Sequence, residues 1–408
     1  MFRKKFNNPE SPFLVSIGAG NNQVRLIKEA QNTGLRVIGV DTSCSAPGFS
    51  SCDLKIHESI INYRDIYIKL RELVMDGDIA GIMTKSYGDA IKTTSFLAEK
   101  FQLPFLPFRR SDDFISKKKM KSVFRKHGIP SPSLYRTGGE QGILRLAEKN
   151  VFPLISKPDR GHAKTDVKLI SDPESLLELA GHAGAQNRNM LFEEYIRGDE
   201  IIAAGIICNG KYYLADISDK QTTAPPCFVD LMHVSPSRHY HLSNKITDLG
   251  QAVADAFDIN TAPLIMEIIV GENNDLYMIE AVPEFGGEYL ADIVIPERTG
   301  YAFIREAVRA FTGRGFTPPE AHTRGAVAVK YLTGVNGILS SWNRKALSWE
   351  ADIIHSEIFI KEGAPVTSPE TNHHRIGVVI ARGMSPGEAV EAAQSAAEKL
   401  EICITEQT

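Results

Sequence analysis

The chain has 408 residues, 43% hydrophobic and 24% charged, with 46 Lys and Arg against 50 Asp and Glu for a formal net charge of −4. This balance excludes a disordered chain, a collagen and a disulfide-dense scaffold, and it offers no basic field for non-specific nucleic-acid binding. The length suits two or three domains, and 5 cysteines with no CxxC or metal spacing point to free thiols in a reducing, cytoplasmic setting.

The opening segment MFRKKFNNPESPF is basic but lacks the apolar stretch of a secretory signal, and no apolar run approaches the ~18 residues of a membrane span. Residues 13–17 (FLVSI) read as a strand. Gly18-Ala19-Gly20 follows, then a helical pattern through Val24, Leu26, Ile27 and Ala30, then the apolar run Leu35–Val40 ending at Asp41. Ile66–Met75 reads as a helix, Ile79–Met83 as a strand and Asp89–Phe101 as a helix. Alternation of this kind predicts a parallel sheet covered by helices. The glycine turn lacks the third glycine of a dinucleotide fingerprint, since Gln23 stands there, so a tight turn is favoured over a cofactor pocket.

Residues 104–110 (PFLPFRR) form a linker. Ser111–His127 is predicted as one basic helix capped by Ser111 and carrying Lys117, Lys118, Lys119, Lys121, Arg125 and Lys126. Strands at Leu154–Lys157 and Val167–Ile170 flank a polar loop, and a helix follows at Pro173–Ala180. Leu191–Tyr195, Glu200–Cys208 and Tyr212–Ile217 read as strands, the last two joined by an Asn209-Gly210 hairpin turn. A helix at 245–257 precedes strands at 264–270 and 276–281. After a helix at Ala302–Thr312, the Gly- and Pro-rich segment 313–324 marks a boundary. Three strands (Gly325–Thr333, His355–Ile360, Arg375–Arg382) and the helix Pro386–Leu400 complete the chain.

Four features suit a nucleoside triphosphate. Lys117 and Lys157 can neutralise phosphates as point charges, and the polar loop Pro158–Lys164 can lay backbone amides on them. The segment Glu193–Glu200 follows. Glu267 and Glu280 stand in the apolar runs LIMEIIV and LYMIEAV, where an unpaired carboxylate would cost several kcal/mol, so both are expected to face a charged site and hold a divalent cation.

Taken in this order, residues 12–385 resemble the ATP-grasp superfamily, with similarity to its carboxylate–amine ligase branch, the L-amino-acid ligases. The fold class implied is α/β and α+β multidomain: an ATP-grasp fold with an N-terminal Rossmann-like three-layer domain (1–108), linker helices and a central lid domain (109–190), the ATP-grasp domain with the metal site (191–312), and a small C-terminal α+β cap (313–408). Glu193–Glu200 is similar to the family motif EEYxxGxE. The resemblance implies that backbone near Glu193, Glu194 and Ile196 receives adenine and that Glu200 holds the ribose. It implies that Lys117, Lys157 and the loop at Gly161 bind the phosphates of ATP, and that Glu267 and Glu280 bind Mg2+, with Mn2+ as an alternative. The stretch from Ala215 to Ser237 resembles the ligase branch and puts Lys220 and His233 toward the acyl group, together with the backbone of Gly286 and Gly287.

Two positions depart from the family run E-x-N-x-R after the second metal acid: Val282 replaces the Asn and Glu284 the Arg. Glu284 and Glu288 are expected to face the amine substrate, and the alternative for Glu284 is a structural pairing with a basic side chain such as Arg298. The expected activity is ATP-dependent amide formation through an acyl phosphate, from a small carboxylate and a small amine, with no nucleic-acid or membrane partner and a homodimer implied by resemblance. The alternatives are a bicarbonate-using carboxylase and a non-catalytic nucleotide-binding relative.

Overall fold

A computed structural model of the chain describes residues 11–135, 137, 140–183, 190–287, 289–320, 324–343 and 351–405. The N-terminal layer is a parallel four-stranded sheet. Strands β1 (Phe13–Ile17), β2 (Arg36–Asp41), β3 (Leu54–His57) and β4 (Ile79–Met83) lie in the order β3-β2-β1-β4. Helices α1 (Val24–Asn32), α2 (Tyr63–Leu73) and α3 (Asp89–Lys100) cover it. The continuous apolar strands fit burial on both faces. The glycine turn is tied down locally, because the Asp41 carboxylate accepts from Ala19 N at 3.0 Å. The loop after β4, residues 84–88, leaves the end of the sheet that faces the rest of the chain.

The basic segment is not one helix. It forms α4 (Ser111–Ile115) and α5 (Lys117–His127), interrupted by extended backbone at Ser116. Ser116, not Ser111, caps the basic helix, and its side chain accepts from Lys119 N. The cap makes Lys117 the first residue of α5, and its stripe Lys117, Met120, Lys121, Phe124 faces inward with spacing i, i+3, i+4, i+7.

The next layer is a small antiparallel sheet. Strands β5 (Leu134–Tyr135), β6 (Leu154–Pro158), β7 (Lys168–Ile170) and β8 (Met190–Glu194) lie in the order β5-β8-β6-β7, packed on α6 (Glu140–Ala147) and α7 (Pro173–Ala183). The loop between β6 and β7 projects from this sheet.

The remainder is dominated by an antiparallel eight-stranded sheet. It contains β9 (Asp199–Cys208), β10 (Lys211–Thr222), β11 (Asp230–Ser235), β12 (Ala262–Val270), β13 (Leu276–Val282), β14 (Ala326–Leu332), β16 (Ile353–Ile358) and β18 (Gly377–Gly383), in the order β13-β12-β9-β10-β11-β14-β18-β16. Helices α8 (Ser243–Ala256), α9 (Ile295–Thr299) and α10 (Phe303–Thr312) pack against it, and α11 (Pro386–Lys399) lies over β14 and β18. Strands β15 (Gly337–Ser341), β17 (Pro365–Val366) and β19 (Cys403–Thr405) form a separate small sheet.

Two differences from the sequence expectation bear on the site. Strand β10 runs to Thr222 instead of ending near Ile217, which carries Lys220 into the sheet. Strand β11, which has no clean alternation, joins β10 to β14, so residues after 313 extend the same sheet instead of forming only a cap beside it. Among the described residues no helix is long and apolar enough to cross a membrane.

Candidate active site

The candidate cleft is the place where the loop 159–166 approaches one face of the eight-stranded sheet. The loop is stitched to the start of α5. Asp159 accepts from Ser116 Oγ and from Lys118 N, both at 2.8 Å, so its carboxylate meets the positive end of the helix. Lys117 Nζ donates to the Gly161 carbonyl at 2.8 Å and stands 3.5 Å from Glu280 Oε1. Beyond Gly161, the residues Ala163, Lys164 and Asp166 take positive φ values of 58°, 58° and 56°. Such backbone costs about 1–2 kcal/mol for each non-glycine residue, so outside contacts must hold it. They come from Lys164 Nζ to Glu200 Oε1 (3.0 Å) and from Asn372 N to Ala163 O (2.9 Å).

The floor follows from strand register. Glu267 and Glu280 are direct partners across β12 and β13, with side chains 28% and 19% exposed, open enough to meet a ligand. Lys220 on β10 lies opposite both Glu200 and His233. Its ammonium is 2.9 Å from Glu200, 3.2 Å from Asp230 and 3.2 Å from Glu267. Burial pushes the Glu200 carboxyl up, but the ammonium groups of Lys164 and Lys220 overcome it and bring it down to about 2. His233 is buried, with its ring edge-on to Tyr331 at 5.9 Å.

From the N-terminal layer, Tyr87 OH donates to Glu280 Oε1 at 3.2 Å. Burial, then Glu280, Glu284 and Glu267, push this phenol above its ordinary range, so it stays protonated and remains a donor. Lys85 Nζ meets both Asp292 oxygens at 2.6 Å, which pins the 84–88 loop to the π-helical turn Leu290–Val294.

Glu267 and Glu280 are the candidate holders of a divalent cation. Among the described residues no group of 3 or more His, Cys, Asp or Glu has metal-binding geometry. Two carboxylates that share their remaining valence with substrate phosphates suit Mg2+, which keeps other oxygen ligands in its shell. Val282 is buried in the core and adds no ligand. The pair therefore fits one Mg2+ bound together with a nucleotide.

Lys157 and Glu193 are on one face of the small antiparallel sheet β5-β8-β6-β7, diagonal across β6 and β8. Lys157 Nζ lies 2.8 Å and Lys121 Nζ 3.5 Å from Glu193 Oε2, all three buried. Burial raises and the two lysines lower the Glu193 carboxyl, with a net lowering, and burial takes Lys121 down to about 8. Glu194 alternates to the other side and its carboxylate accepts from Ser133 N. Ile196 lies in the extended link between β8 and β9, which is only partly buried. That link ends at Gly198, where a Cβ would come within 2.3 Å of Val270 O. Gly198→Ala is expected to lower stability by about 1–3 kcal/mol through overpacking, read by denaturant unfolding; an unchanged midpoint would show that the link moves freely.

After Glu280 the chain turns through Glu284, which is buried, and Gly286, whose φ of 73° suits glycine. Gly287 is exposed, and Glu288 lies outside the described residues. Nearby, the fully buried Arg298 donates Nε to Asp216 Oδ1 (2.8 Å) and to Ser235 Oγ (3.0 Å).

Four contributors were not anticipated: Tyr87, Lys121, Asp230 and Asn372. Lys121 was findable, since it repeats Lys117 at i+4 on an apolar stripe. Asp230 was not, because a register shift between Gln221 and Thr222 brings it onto the face of Lys220. Tyr87 and Asn372 come from sequence-distant loops.

Residues 150–292 match the ATP-grasp domain model and residues 335–405 the L-amino acid ligase C-terminal domain 2. The chain thus contains an ATP-grasp domain and, after it, a C-terminal domain of the L-amino acid ligase type. It is 23% identical over 268 residues to the L-arginine-specific L-amino acid ligase of Bacillus subtilis, covering 63% of this chain and 64% of that protein. It is 22% identical over 243 residues to dapdiamide A synthase of Enterobacter agglomerans, covering 55% of this chain and 54% of that one. The chain thus matches between about half and two thirds of the length of these curated relatives. Its fold overlays the L-amino acid ligase of Bacillus licheniformis with a TM-score of 0.77 at 17% identity, covering 98% of this chain and 100% of that structure.

Proposed function

We propose that the protein is an ATP-dependent ligase that joins a small carboxylate to a small amine. The observation that carries this reading is the convergence of Lys117, Glu200, Lys220, Glu267 and Glu280 on one cleft under the 159–166 loop, in a chain whose C-terminal module is of the L-amino acid ligase type.

A carboxylate oxygen attacks the γ-phosphorus of ATP as the bond to the β,γ-bridging oxygen breaks, which leaves ADP and an acyl phosphate. The amine lone pair then adds to the acyl carbon. The tetrahedral adduct expels phosphate, and the proton lost from nitrogen passes to solvent. Lys117 and Lys157 act as fixed charges toward the phosphates, and the 159–166 loop excludes water. The 194–196 backbone receives adenine and Glu200 the ribose hydroxyls. Bound between Glu267 and Glu280, Mg2+ would supply charge neutralisation at the β- and γ-phosphate oxygens. Lys220, His233 and the backbone of Gly286-Gly287 orient the acyl group, so most of the rate enhancement is positioning and electrostatic.

The deciding experiment is phosphate release from ATP across paired carboxylates and amines, with bicarbonate as a separate arm. Release that requires both a carboxylate and an amine, with the amide detected by mass, supports the ligase. Dependence on bicarbonate favours a carboxylase, and nucleotide binding without turnover favours a non-catalytic relative.

Glu284 and Glu288 bear on the amine. The chain places both directly after the strand of Glu280, and an ammonium group on the amine substrate is the complementary charge for a carboxylate there. Glu284→Gln is expected to raise the amine KM about tenfold with the ATP KM within about twofold. Equal loss for both substrates would remove Glu284 from amine recognition.

A further inference from the structure

We propose that the turn Thr371–His374 in the C-terminal module is a two-sided latch, in which Asn372 holds the 159–166 loop closed and, through Asp230, orients Lys220. The proposal rests on the nucleotide-cleft reading above, but not on the identity of the carboxylate or the amine.

The turn is a short 3-10 helix capped by Thr371, whose side chain accepts from His373 N. Asn372 is buried and spends its polar groups in two directions. Its backbone N–H donates to Ala163 O at 2.9 Å, at the first of the left-handed non-glycine residues of the 159–166 loop. Its side chain meets Asp230 twice: Oδ1 accepts from Asp230 N at 2.9 Å, and Nδ2 donates to Asp230 Oδ2. The other Asp230 oxygen is 3.2 Å from Lys220 Nζ. A single residue therefore touches both the roof of the cleft and the side-chain chain that sets its floor.

Adjacent residues reinforce both directions. The His373 ring stands edge-on to the loop residue His162 at 5.5 Å. Arg375 Nε donates to the Asn372 carbonyl at 2.9 Å, and its guanidinium lies 3.8 Å from the centre of the Tyr331 ring, the ring that His233 meets edge-on. The turn thus reaches both of the side chains, Lys220 and His233, assigned to the acyl end.

The physical consequence is coupling. The strained loop backbone is held by few contacts, and Asn372 supplies one of them. When the loop lifts, the turn loses its bond to Ala163, and the less firmly fixed Asn372 holds Asp230, and through it Lys220, less well. Lys220 bridges Glu200, Asp230 and Glu267, so its orientation depends on Asp230 keeping its place. Asn372 is a positioning residue: it acts through Asp230 and the loop and touches no reacting atom.

The test uses the full chain with two changes. Asn372→Ala removes the side-chain arm, and the exchanged pair Asp230→Asn with Asn372→Asp keeps an amide–carboxylate bond but moves the negative charge away from Lys220. Amide hydrogen exchange across 159–166, Mg-ATP affinity, and kcat and KM for phosphate release are measured for each. Asn372→Ala keeps the backbone N–H that meets Ala163 but frees the turn from Asp230, so the turn is expected to hold the loop less firmly: loop exchange speeds about tenfold and kcat falls about tenfold or more, with the carboxylate KM within about twofold. The exchanged pair is expected to restore slow loop exchange but not kcat. Unchanged loop exchange in Asn372→Ala, or recovery of kcat in the exchanged pair, overturns the latch. Failure of both variants to fold also overturns it, by making the contact one of stability alone. Loop exchange and nucleotide affinity are read without any second substrate, so the latch can fail while the ligase reading stands, and the reverse.

Discussion

Glu280→Gln is expected to lower ATP-dependent turnover by about 1000-fold or more while leaving the fold intact. Glu280 is partly open to the cleft and lies opposite Glu267 in the strand register, so the substitution removes a charge without leaving a cavity. Tyr87 OH can still donate to the amide oxygen, and Lys117 keeps its bond to Gly161. What is lost is half of the proposed two-carboxylate cation site, and metal stabilisation of transferring phosphate is worth several kcal/mol. The affinity for nucleotide with Mg2+ should fall more than that for nucleotide with EDTA. Equal loss in both conditions, or turnover within tenfold of the parent, would falsify the assignment of Glu280 to the metal.

Glu193→Gln should have the largest effect on stability. Glu193 is the shared anion of two buried lysines, and removing one partner from a buried ion pair costs about 3–5 kcal/mol, because the remaining charges stay desolvated. The sign with pH is a further check. Lys121 has a folded pKa of about 8 against an ordinary value of 10.5. Between those values the unfolded chain binds more protons, so stability contributed by this group rises with pH. Without Glu193 the folded value falls further, and the rise begins at lower pH and is larger. On the acid side, Glu193 has a lowered pKa, so its contribution is present above the ordinary carboxylate value of 4.5 and is lost as pH falls through the folded one. Glu193→Gln should therefore flatten the acid limb of a stability–pH curve measured by urea unfolding and steepen the alkaline limb. A curve parallel to that of the parent at all pH values would remove Glu193 from the pair.

Much of this site is visible in the chain because its charged residues sit where packing disfavours them. Glu267 and Glu280 interrupt apolar strands, and Lys117 and Lys157 mark the ends of regular elements. What was not visible depends on geometry that only folding supplies. Side-chain alternation along β8 turns Glu193 inward to the lysines and Glu194 outward, and the pair Glu-Glu does not announce which is which. The basic helix reads as continuous through Ser116 because lysines tolerate helix well, yet the serine breaks it and sets Lys117 at its start. Strand β11 mixes Asp230, His233 and Ser235 with apolar residues and reads as a connection. The Asn372–Asp230 contact joins positions 142 residues apart, which no local pattern encodes.

The continuity of the eight-stranded sheet across residue 313 bears on how this architecture can be recombined. A C-terminal module that merely sat beside the grasp strands could be exchanged between relatives as a bead on a string. Here the module supplies β14, β18 and β16 as hydrogen-bonded neighbours of β11, and the 371–375 turn reaches back into the cleft. A chimera would have to inherit the β11–β14 pairing in register along with the asparagine that meets Asp230. Crossover points for shuffling this chain therefore lie before Asp230 or after the last strand of the sheet, and the stretch between them travels as one heritable block.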